Sequence, residues 1–272
     1  MKAYLINLDR SPDRLSFFQS QADRLGMPFE RISAVDGKKL TPGQLASAVS
    51  QSFEFQPINA GEIGLFMSHK RVWERLLASG APHAAVFEDD AQLSESVVSA
   101  LAAIDREATS FDVIKLETTL RQTVCRRDSQ VLSSGHTLQK LLSWHGGTAG
   151  YVISADCARR MLTLKLLLSD PIDQVMFNPI SRISSQLDLK QLNPAVCIQQ
   201  DILQASDAAK FGTTIDRNLT RHGLFRHGPV IDARRMFKKM QERLRRKRMA
   251  ADPANSLSVI PFADSTASSR AA

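Results

Sequence analysis

Three adjacent acidic residues, Glu88, Asp89 and Asp90, follow the short apolar run Ala84–Phe87. In an open sheet of strands and helices, ligands bind at the edge formed by the carboxyl ends of the strands. Carboxylates this close repel one another, and a divalent cation such as Mg²⁺ or Mn²⁺ offsets the repulsion and can bridge a diphosphate. The alternative interpretation is a solvated acidic turn or a helix cap.

A second group of polar residues lies in the segment bracketed by Gly61 and Gly80. The small residues at its start would let backbone N–H groups at the beginning of a helix approach a phosphate or a sugar. Ser68, His69 and Lys70 then bring a hydroxyl, an imidazole and an ammonium group to adjacent positions. The alternative is a packed helix in which His69 is a partly buried, hydrogen-bonded group.

Polar residues also follow the first predicted strand, Ala3–Leu8. Asn7, Arg10 and Arg14 lie at or just beyond its end, and guanidinium groups suit the recognition of phosphate or carboxylate. Ordinary surface salt bridges are the alternative. Asp36 comes after the second predicted strand and could hold a ribose or a uracil edge, or form only a turn.

The pattern of apolar residues predicts the elements that must position these groups. A helix that opens at Ser11-Pro12 and ends at Gly26 separates the first two strands, which is typical of a βαβ unit. Later strands alternate with helices, and these strands are predicted at Ala84–Phe87, Asp112–Leu116, Tyr151–Ser154 and Val196–Gln200. This alternation predicts an α/β fold with a mostly parallel central sheet and helices on both faces.

The composition excludes several classes of protein. The chain has 272 residues, 43% hydrophobic and 23% charged, which is typical of a globular protein rather than a disordered or fibrous one. Its three cysteines are widely spaced, so neither a disulfide framework nor a cysteine zinc site is predicted. The run Ala3–Leu8 is too short for a signal peptide, and no stretch approaches the ~18 apolar residues of a membrane-spanning helix. We therefore expect a cytoplasmic protein.

Positive charge is concentrated near the C-terminus. The whole chain carries +7, but residues Arg217–Met249 hold nine Arg and three Lys against Asp232 and Glu242, so the remainder is mildly acidic. We predict a folded domain at 1–214, a basic amphipathic helical segment at 215–249 and a disordered tail at 250–272. Apolar residues interleave with the bases of this segment, so it could lie on an anionic membrane face or be a solvated, charge-rich helix.

Five motifs together resemble glycosyltransferase family 25, the lipooligosaccharide and lipopolysaccharide β-galactosyltransferases. The motifs are YLINLDRSPDR (Tyr4–Arg14), AVDG (Ala34–Gly37), GEIGLFMSHKRVW (Gly61–Trp73), AAVFEDDA (Ala84–Ala91) and GTAGYVIS (Gly147–Ser154). Pro171–Asp173 is similar to the acidic motif that usually follows. The resemblance spans about Met1–Gln200, and Leu65 stands where many members carry cysteine.

The resemblance implies a GT-A-like nucleotide-sugar-binding fold for the catalytic domain at 1–214. It implies an inverting, metal-dependent transfer of a hexose, with galactose expected, from a UDP-sugar to a lipooligosaccharide or lipopolysaccharide core saccharide. Asp89 and Asp90 would bind the metal, Mn²⁺ or Mg²⁺, with Glu88 beside them. The other residues that we predict to contact the donor are Asn7, Arg10, Arg14, Asp36, Ser68, His69 and Lys70.

Inversion also requires a base near the acceptor hydroxyl, on the side opposite the leaving group. We expect Asp173 in this role, with Asp170 as its rival, and a turn around Pro171 as the structural alternative for both.

The basic segment would hold such an enzyme peripherally on the cytoplasmic face of the inner membrane, and no nucleic-acid partner is expected. The rival hypothesis is a noncatalytic binding protein with a degenerate transferase fold, attached to anionic lipid or RNA through Arg217–Met249. The intact acidic triplet argues against decay of a catalytic site. Phe225 and Phe237 alone offer little stacking for RNA bases.

Overall fold

The computed structural model describes residues 1–48, 54–56, 58–163, 170–203 and 229–264, without the side chains of 229–235. The strands are β1 (Lys2–Asn7), β2 (Glu30–Ser33), β3 (His83–Glu88), β4 (Ala91–Leu93), β5 (Val113–Lys115), β6 (Glu117–Thr118), β7 (Gln122–Val131), β8 (Thr137–Leu141), β9 (Gly150–Ser154), β10 (Leu189–Asn193), β11 (Cys197–Gln199) and β12 (Asn255–Val259). The helices are α1 (Pro12–Leu25), α2 (Pro42–Ala48), α3 (Ala60–Ser79), α4 (Val97–Glu107), α5 (Ala155–Thr163), α6 (Ile172–Phe177), α7 (Gln200–Leu203) and α8 (Pro229–Ala251). Short 3₁₀ turns occupy Gly37–Lys39 and Ser184–Gln186.

Nine of the described strands form one sheet in the order β2-β1-β3-β9-β5-β10-β8-β7-β12. β1 pairs in parallel with β2 and β3, and β5 pairs in parallel with β10. β9 runs antiparallel between β3 and β5, and β8, β7 and β12 extend the far side with antiparallel pairs. The α/β class is confirmed, but the sheet is mixed rather than mostly parallel. The buried strand β9 is apolar along nearly its whole length, a pattern that does not reveal its direction.

Helices cover both faces of the large sheet, as predicted. Successive side chains of a strand point to opposite faces. Tyr4 and Ile6 of β1 accordingly pack in a core with α3, α5 and α6, whereas Ala3 and Leu5 pack in a second core with α1 and α4. A smaller sheet joins β11 to β4 in antiparallel pairing and to β6 in parallel pairing.

The ends of α1 and α3 lie close to where the sequence predicts them. Gly26 ends α1 and Gly80 ends α3, each in the left-handed conformation. α3 begins with a capping box, in which the side chains of Asn59 and Glu62 each bond the other residue's backbone N–H. Ser11 is the N-cap of α1, but its side chain makes no capping hydrogen bond. The sequence also predicts a helix from 155 to about 168, of which α5 covers Ala155–Thr163, and residues 164–168 lie outside the described part of the chain.

The segment predicted as a disordered tail contains a strand of the main sheet. β12 pairs antiparallel with β7 over Asn255–Val259, and the Ile260 and Phe262 side chains that follow are buried. This segment is rich in Ser, Ala and Asp and has few apolar residues, so its composition is typical of a disordered tail. Its strand depends on pairing with β7, which is distant in the sequence. Residues 265–272 of the predicted tail lie outside the described residues.

Within the segment predicted as a basic helix, α8 spans Pro229–Ala251, and residues 215–228 lie outside the described part of the chain. The helix contacts β7 and β12. Lys238 Nζ lies 3.5 Å from Glu54 Oε2 and 5.4 Å from the ring centroid of Phe55. A membrane-spanning candidate, with the length and apolarity that a bilayer crossing needs, is absent from the described helices.

Replacing Ile260 by Ala tests the placement of the C-terminal segment. Ile260 is 0% exposed, so its truncation should lower the free energy of unfolding by about 3 kcal/mol in a urea titration. Val259→Ala is the matched control, because that neighbouring side chain is 44% exposed and should change stability by less than about 0.5 kcal/mol. Equal, negligible effects of both substitutions would mean that the segment is not packed on the sheet.

Candidate active site at the carboxyl edge of the sheet

Strand register brings the ends of four strands to one edge of the sheet. Ile6 pairs with Glu88, so the end of β1 lies beside the acidic triplet at the end of β3. β9 runs in the opposite direction and pairs Gly150 with Phe87, which delivers residues 146–149 to the same edge. The end of β5 joins them, because Lys115 pairs with Tyr151.

Asp89 is held by hydrogen bonds to both of its carboxylate oxygens. Asn7 Nδ2 donates to Oδ2 at 2.8 Å, and Arg14 Nη1 donates to Oδ1 at 2.9 Å. Arg31 Nε in turn donates to Asn7 Oδ1 at 2.9 Å, which fixes the orientation of that amide. Arg14 is 6% exposed, so its contact with Asp89 is a buried ion pair rather than a surface salt bridge. Burial raises the pKa of Asp89, and Arg14 opposes that rise.

Asp90 has one carboxylate oxygen without a partner. Its Oδ2 lies 3.5 Å from Arg14 Nη1, whereas the buried Oδ1 accepts no hydrogen bond from any described residue. Burial and the neighbouring charge of Glu88 raise the pKa of Asp90 to about 8. A cation beside Oδ1 would favour the ionised carboxylate, and oxygen ligands are those that Mg²⁺ and Mn²⁺ prefer.

The donor set fits a divalent cation that takes most of its ligands from elsewhere. Within the described residues, no group of three His, Cys, Asp or Glu side chains is arranged to hold a metal. Mg²⁺ is commonly bound by one or two carboxylates together with water and substrate phosphates. Of the two predicted ligands, Asp90 offers the unpaired oxygen, whereas Asp89 is already engaged by Asn7 and Arg14.

Buried hydrogen bonds join Trp73, Tyr151 and His69, and His69 Nε2 approaches Glu88 without a hydrogen bond. Trp73 Nε1 donates to the Tyr151 hydroxyl at 3.1 Å, and that hydroxyl lies 2.8 Å from His69 Nδ1. Because the indole N–H can only donate, the Tyr151 hydroxyl accepts from Trp73, and we assign its own O–H as the donor to His69 Nδ1. The imidazole proton of His69 then lies on Nε2. His69 Nε2 lies 3.4 Å from Glu88 Oε1, which also accepts from the Thr148 hydroxyl. Burial favours a raised pKa for Glu88, but these contacts hold it below its ordinary value.

Ser68 and Lys70 occupy different settings on α3. Ser68 Oγ accepts from Val35 N–H at 2.8 Å and donates to the Gly64 carbonyl at 2.7 Å, so it binds the helix to the loop after β2. This close approach requires glycine at position 64, since a Cβ there would lie 2.5 Å from the Val35 carbonyl oxygen. Lys70 is partly exposed and forms no ion pair with any residue in the described part of the chain.

Arg10 and Asp36 pair with each other after β1 and β2. Arg10 Nε donates to Asp36 Oδ2 at 2.8 Å, and Asp36 Oδ1 accepts from Lys38 N–H at the start of a 3₁₀ turn. Both interpretations of Asp36 therefore stay open in this geometry: it caps a turn, and it lies at the sheet edge where a ribose would bind.

The two candidate bases differ in what surrounds them. Asp170 is 2% exposed and accepts three backbone N–H bonds, from Glu54, Phe55 and Gln56, at 2.6–3.0 Å. A carboxylate engaged in this way anchors a segment of backbone. Asp173, in the first turn of α6, accepts the Gly147 N–H at 3.4 Å and so faces the glycine segment at the sheet edge. This arrangement favours Asp173 over Asp170.

A buried ion pair beneath this edge was missed by the sequence analysis. Lys115 Nζ donates to Glu117 Oε2 at 3.0 Å, and both side chains are 0% exposed. Burial raises the pKa of Glu117 to about 7, although Lys115 opposes this. The available signal was the presence of two charged residues, two positions apart, at the end of an apolar strand.

Exchanging each aspartate of the triplet for asparagine should separate their roles. In metal-free buffer, Asp89→Asn should lower the free energy of unfolding by about 2 kcal/mol, because it leaves the buried Arg14 charge poorly compensated. Asp90→Asn should be at least as stable as the wild type, since a neutral amide replaces a carboxylate that burial disfavours. Urea titrations of both proteins test this, and the reverse order of stabilities would contradict the assignment.

Similarity to known proteins gives the family of this chain. At 30% identity over 74% of this chain and 75% of the relative, the chain is similar to the lacto-N-neotetraose biosynthesis glycosyltransferase LgtB of Neisseria gonorrhoeae. It is 29% identical to the lipooligosaccharide biosynthesis protein lic2B of Haemophilus influenzae, over 75% of this chain and 78% of that protein. Among solved structures, A197 from STIV matches 79% of this chain and all of its own, with 11% identity and a TM-score of 0.38, too low to inform the fold. The model of the family described as glycosyltransferase family 25 (LPS biosynthesis protein) matches residues 1–176, and the chain belongs to this family of glycosyltransferases.

Proposed function

We propose that this protein transfers a hexose, galactose in the first instance, from a UDP-sugar to the core saccharide of a lipooligosaccharide or lipopolysaccharide. The observation that carries the proposal is the unpaired, buried oxygen of Asp90 at the same sheet edge as Asp173, in a chain of this family. The relatives named above, whose descriptions specify lacto-N-neotetraose or lipooligosaccharide biosynthesis, support the choice of acceptor.

Asp90 is the residue that would hold Mn²⁺ or Mg²⁺, with Asp89 supporting it from its bonds to Asn7 and Arg14. When bound, the cation offsets the negative charge that builds on the diphosphate as UDP departs. Arg14 adds a fixed positive charge at the same edge because its guanidinium lies between the two aspartates. The Arg10–Asp36 pair and partly exposed Lys70 are our candidates for contacts to the ribose and phosphates.

Asp173 is proposed as the base of an inverting transfer. The acceptor oxygen forms a bond to the anomeric carbon while the bond from that carbon to the diphosphate oxygen breaks, and the hydroxyl proton passes to the Asp173 carboxylate. Glu88 accepts the Thr148 hydroxyl and lies 3.4 Å from His69 Nε2 at the same edge, so it is our candidate for binding a sugar hydroxyl. UDP and the elongated saccharide are the products.

α8 is proposed to bind the protein to an anionic lipid surface. Four apolar side chains of α8 are exposed: Phe237 by 53%, Leu244 by 59%, Met236 by 72% and Met240 by 50%. Seven Lys and Arg residues lie among them between positions 236 and 249. An open groove of about 530 Å³ beside it combines two guanidinium groups with apolar residues, and it is lined by Ile180, Gln241, Leu244, Arg245, Arg248 and Met249. Apolar contact and positive charge together are what a peripheral membrane helix requires.

Release of UDP tests the transfer directly. Purified protein should release UDP from one member of a panel of UDP-hexoses when Mn²⁺ or Mg²⁺ is present. A truncated lipooligosaccharide acceptor should stimulate the release, and EDTA should abolish it. Asp173→Asn should lower kcat by about 10²- to 10⁴-fold while UDP affinity, measured by calorimetry, is unchanged.

Asp128→Asn is the control for that substitution, because Asp128 is an exposed carboxylate on β7 whose ion-pair partner among the described residues is nearby Arg126. It should leave kcat unchanged. Folded wild-type protein that releases no UDP with any donor would contradict the proposed transfer and favour the rival noncatalytic binding protein.

Binding to vesicles tests the role of α8. The double substitution Phe237→Ser with Leu244→Ser should weaken binding to phosphatidylcholine vesicles containing phosphatidylglycerol by at least about tenfold, because burying each side chain contributes about 1.5–3 kcal/mol. Val131→Ser removes a more exposed apolar side chain, 71% exposed, from β7 and should have no effect. Unchanged binding of the double variant in a sedimentation assay would rule out insertion of this helix face.

A further inference from the structure

The buried pair of Lys115 and Glu117 forms hydrogen bonds with the backbone of residues 147–149. Lys115 Nζ donates to the Gly147 carbonyl at 2.6 Å, and Glu117 Oε2 accepts the Ala149 N–H at 3.1 Å. Only glycine fits at position 147, where φ is +84° and a Cβ would lie 2.4 Å from Glu117 Oε1. The ion pair and this short segment therefore share one tightly fitted arrangement.

The other side of the same segment carries the groups assigned to chemistry. The Gly147 N–H points to Asp173 Oδ2 at 3.4 Å, and the Thr148 hydroxyl donates to Glu88 Oε1. One peptide unit separates these two contacts. A displacement of residues 147–148 would therefore move both carboxylates' partners together.

Lys115 also touches the helix on which Asp173 lies. Its Nζ is 4.2 Å from the ring centroid of Phe177, the last residue of α6, and Asp173 is in the first turn of that helix. A cation placed over an aromatic ring is attracted by the ring's negative face. Lys115 thus contacts both the segment that donates to Asp173 and the helix that carries it.

Stability is a poor explanation for charging this location. Moving two charges out of water costs several kcal/mol each, and replacing a buried ion pair with apolar residues of similar size is often neutral or stabilising. The charged pair forms directional hydrogen bonds with the Gly147 carbonyl and the Ala149 N–H, which apolar side chains cannot form.

We propose that Lys115 and Glu117 are positioning residues that set the location of Asp173, and of Glu88, through residues 147–149. The catalytic half of this inference rests on the proposed function, because it takes Asp173 as the base. The structural half does not, since it concerns only the order of the segment. Misplacement of reacting groups by about 1 Å can cost on the order of 10²-fold in rate.

The test combines Lys115→Met with Glu117→Leu, so that no unpaired charge is left in the core. Amide hydrogen exchange should accelerate at Gly147 and Ala149 while β9 keeps its protection. Turnover of the donor sugar should fall in kcat by on the order of 10²-fold, with the KM for the donor within about twofold of the wild type.

Thr118→Val is the matched control. Thr118 follows Glu117 on β6 and is 0% exposed, and its hydroxyl donates to the Ile260 carbonyl at 2.6 Å and accepts from Leu120 N–H, not from residues 147–149. It should lower the unfolding temperature but leave kcat and the exchange of Gly147 unchanged. If the control lowers kcat as much as the double variant does, a general structural effect replaces the positioning role.

Gly147→Ala reaches the same geometry from the other side and leaves the ion pair in place. Its added Cβ meets Glu117 Oε1, so it should reproduce the fall in kcat even if the double variant does not fold. Unaltered exchange at Gly147 and Ala149 in the double variant, or unaltered kcat in a folded Gly147→Ala protein, overturns the proposal. Absence of turnover in the wild type would instead refute the proposed transfer. The exchange experiment would still test whether Lys115 and Glu117 order residues 147–149.

Discussion

Compensation of negative charge at one edge of the sheet is the constraint on which the site depends. Glu88, Asp89, Asp90 and Glu117 are all largely buried there, and Arg14 and Lys115 are the buried cations beside them. Arg14 is closest to Asp89, and Lys115 is closest to Glu117. Asp90 lies farther from Arg14, at 3.5 Å, and burial together with the charge of Glu88 raises its pKa to about 8. The negative charge at this edge is therefore incompletely compensated by the described side chains.

The sequence was sufficient to predict that the end of the first strand and the acidic triplet meet at this edge. Strands that end at Asn7 and Glu88 belong to neighbouring βα units, and parallel pairing must bring their carboxyl ends together. The C-terminal ends of α1 and α3 were equally readable, because Gly26 and Gly80 are local signals. The motifs of the family supplied the segment that begins at Gly147, which no periodic pattern identifies.

Features that depend on distant pairing were not predictable. The direction of β9 is set by its neighbours β3 and β5, and β12 is ordered by β7, more than a hundred residues earlier in the chain. The division of labour within the triplet was equally hidden, since it depends on Arg14 reaching Asp89 across the sheet edge. Lys115 and Glu117 read as ordinary charges near the end of a strand until the burial of that strand is known.

β12 gives α8 a fixed bearing on the rest of the molecule. The chain enters the sheet directly after this helix, and Lys238 reaches Glu54 in the short stretch that Asp170 anchors. These two contacts fix the orientation of α8 relative to the sheet. If α8 rests on lipid, the carboxyl edge of the sheet lies at a fixed distance from the membrane surface. A fixed distance of this kind would select acceptor saccharides by how far their growing end projects from the membrane.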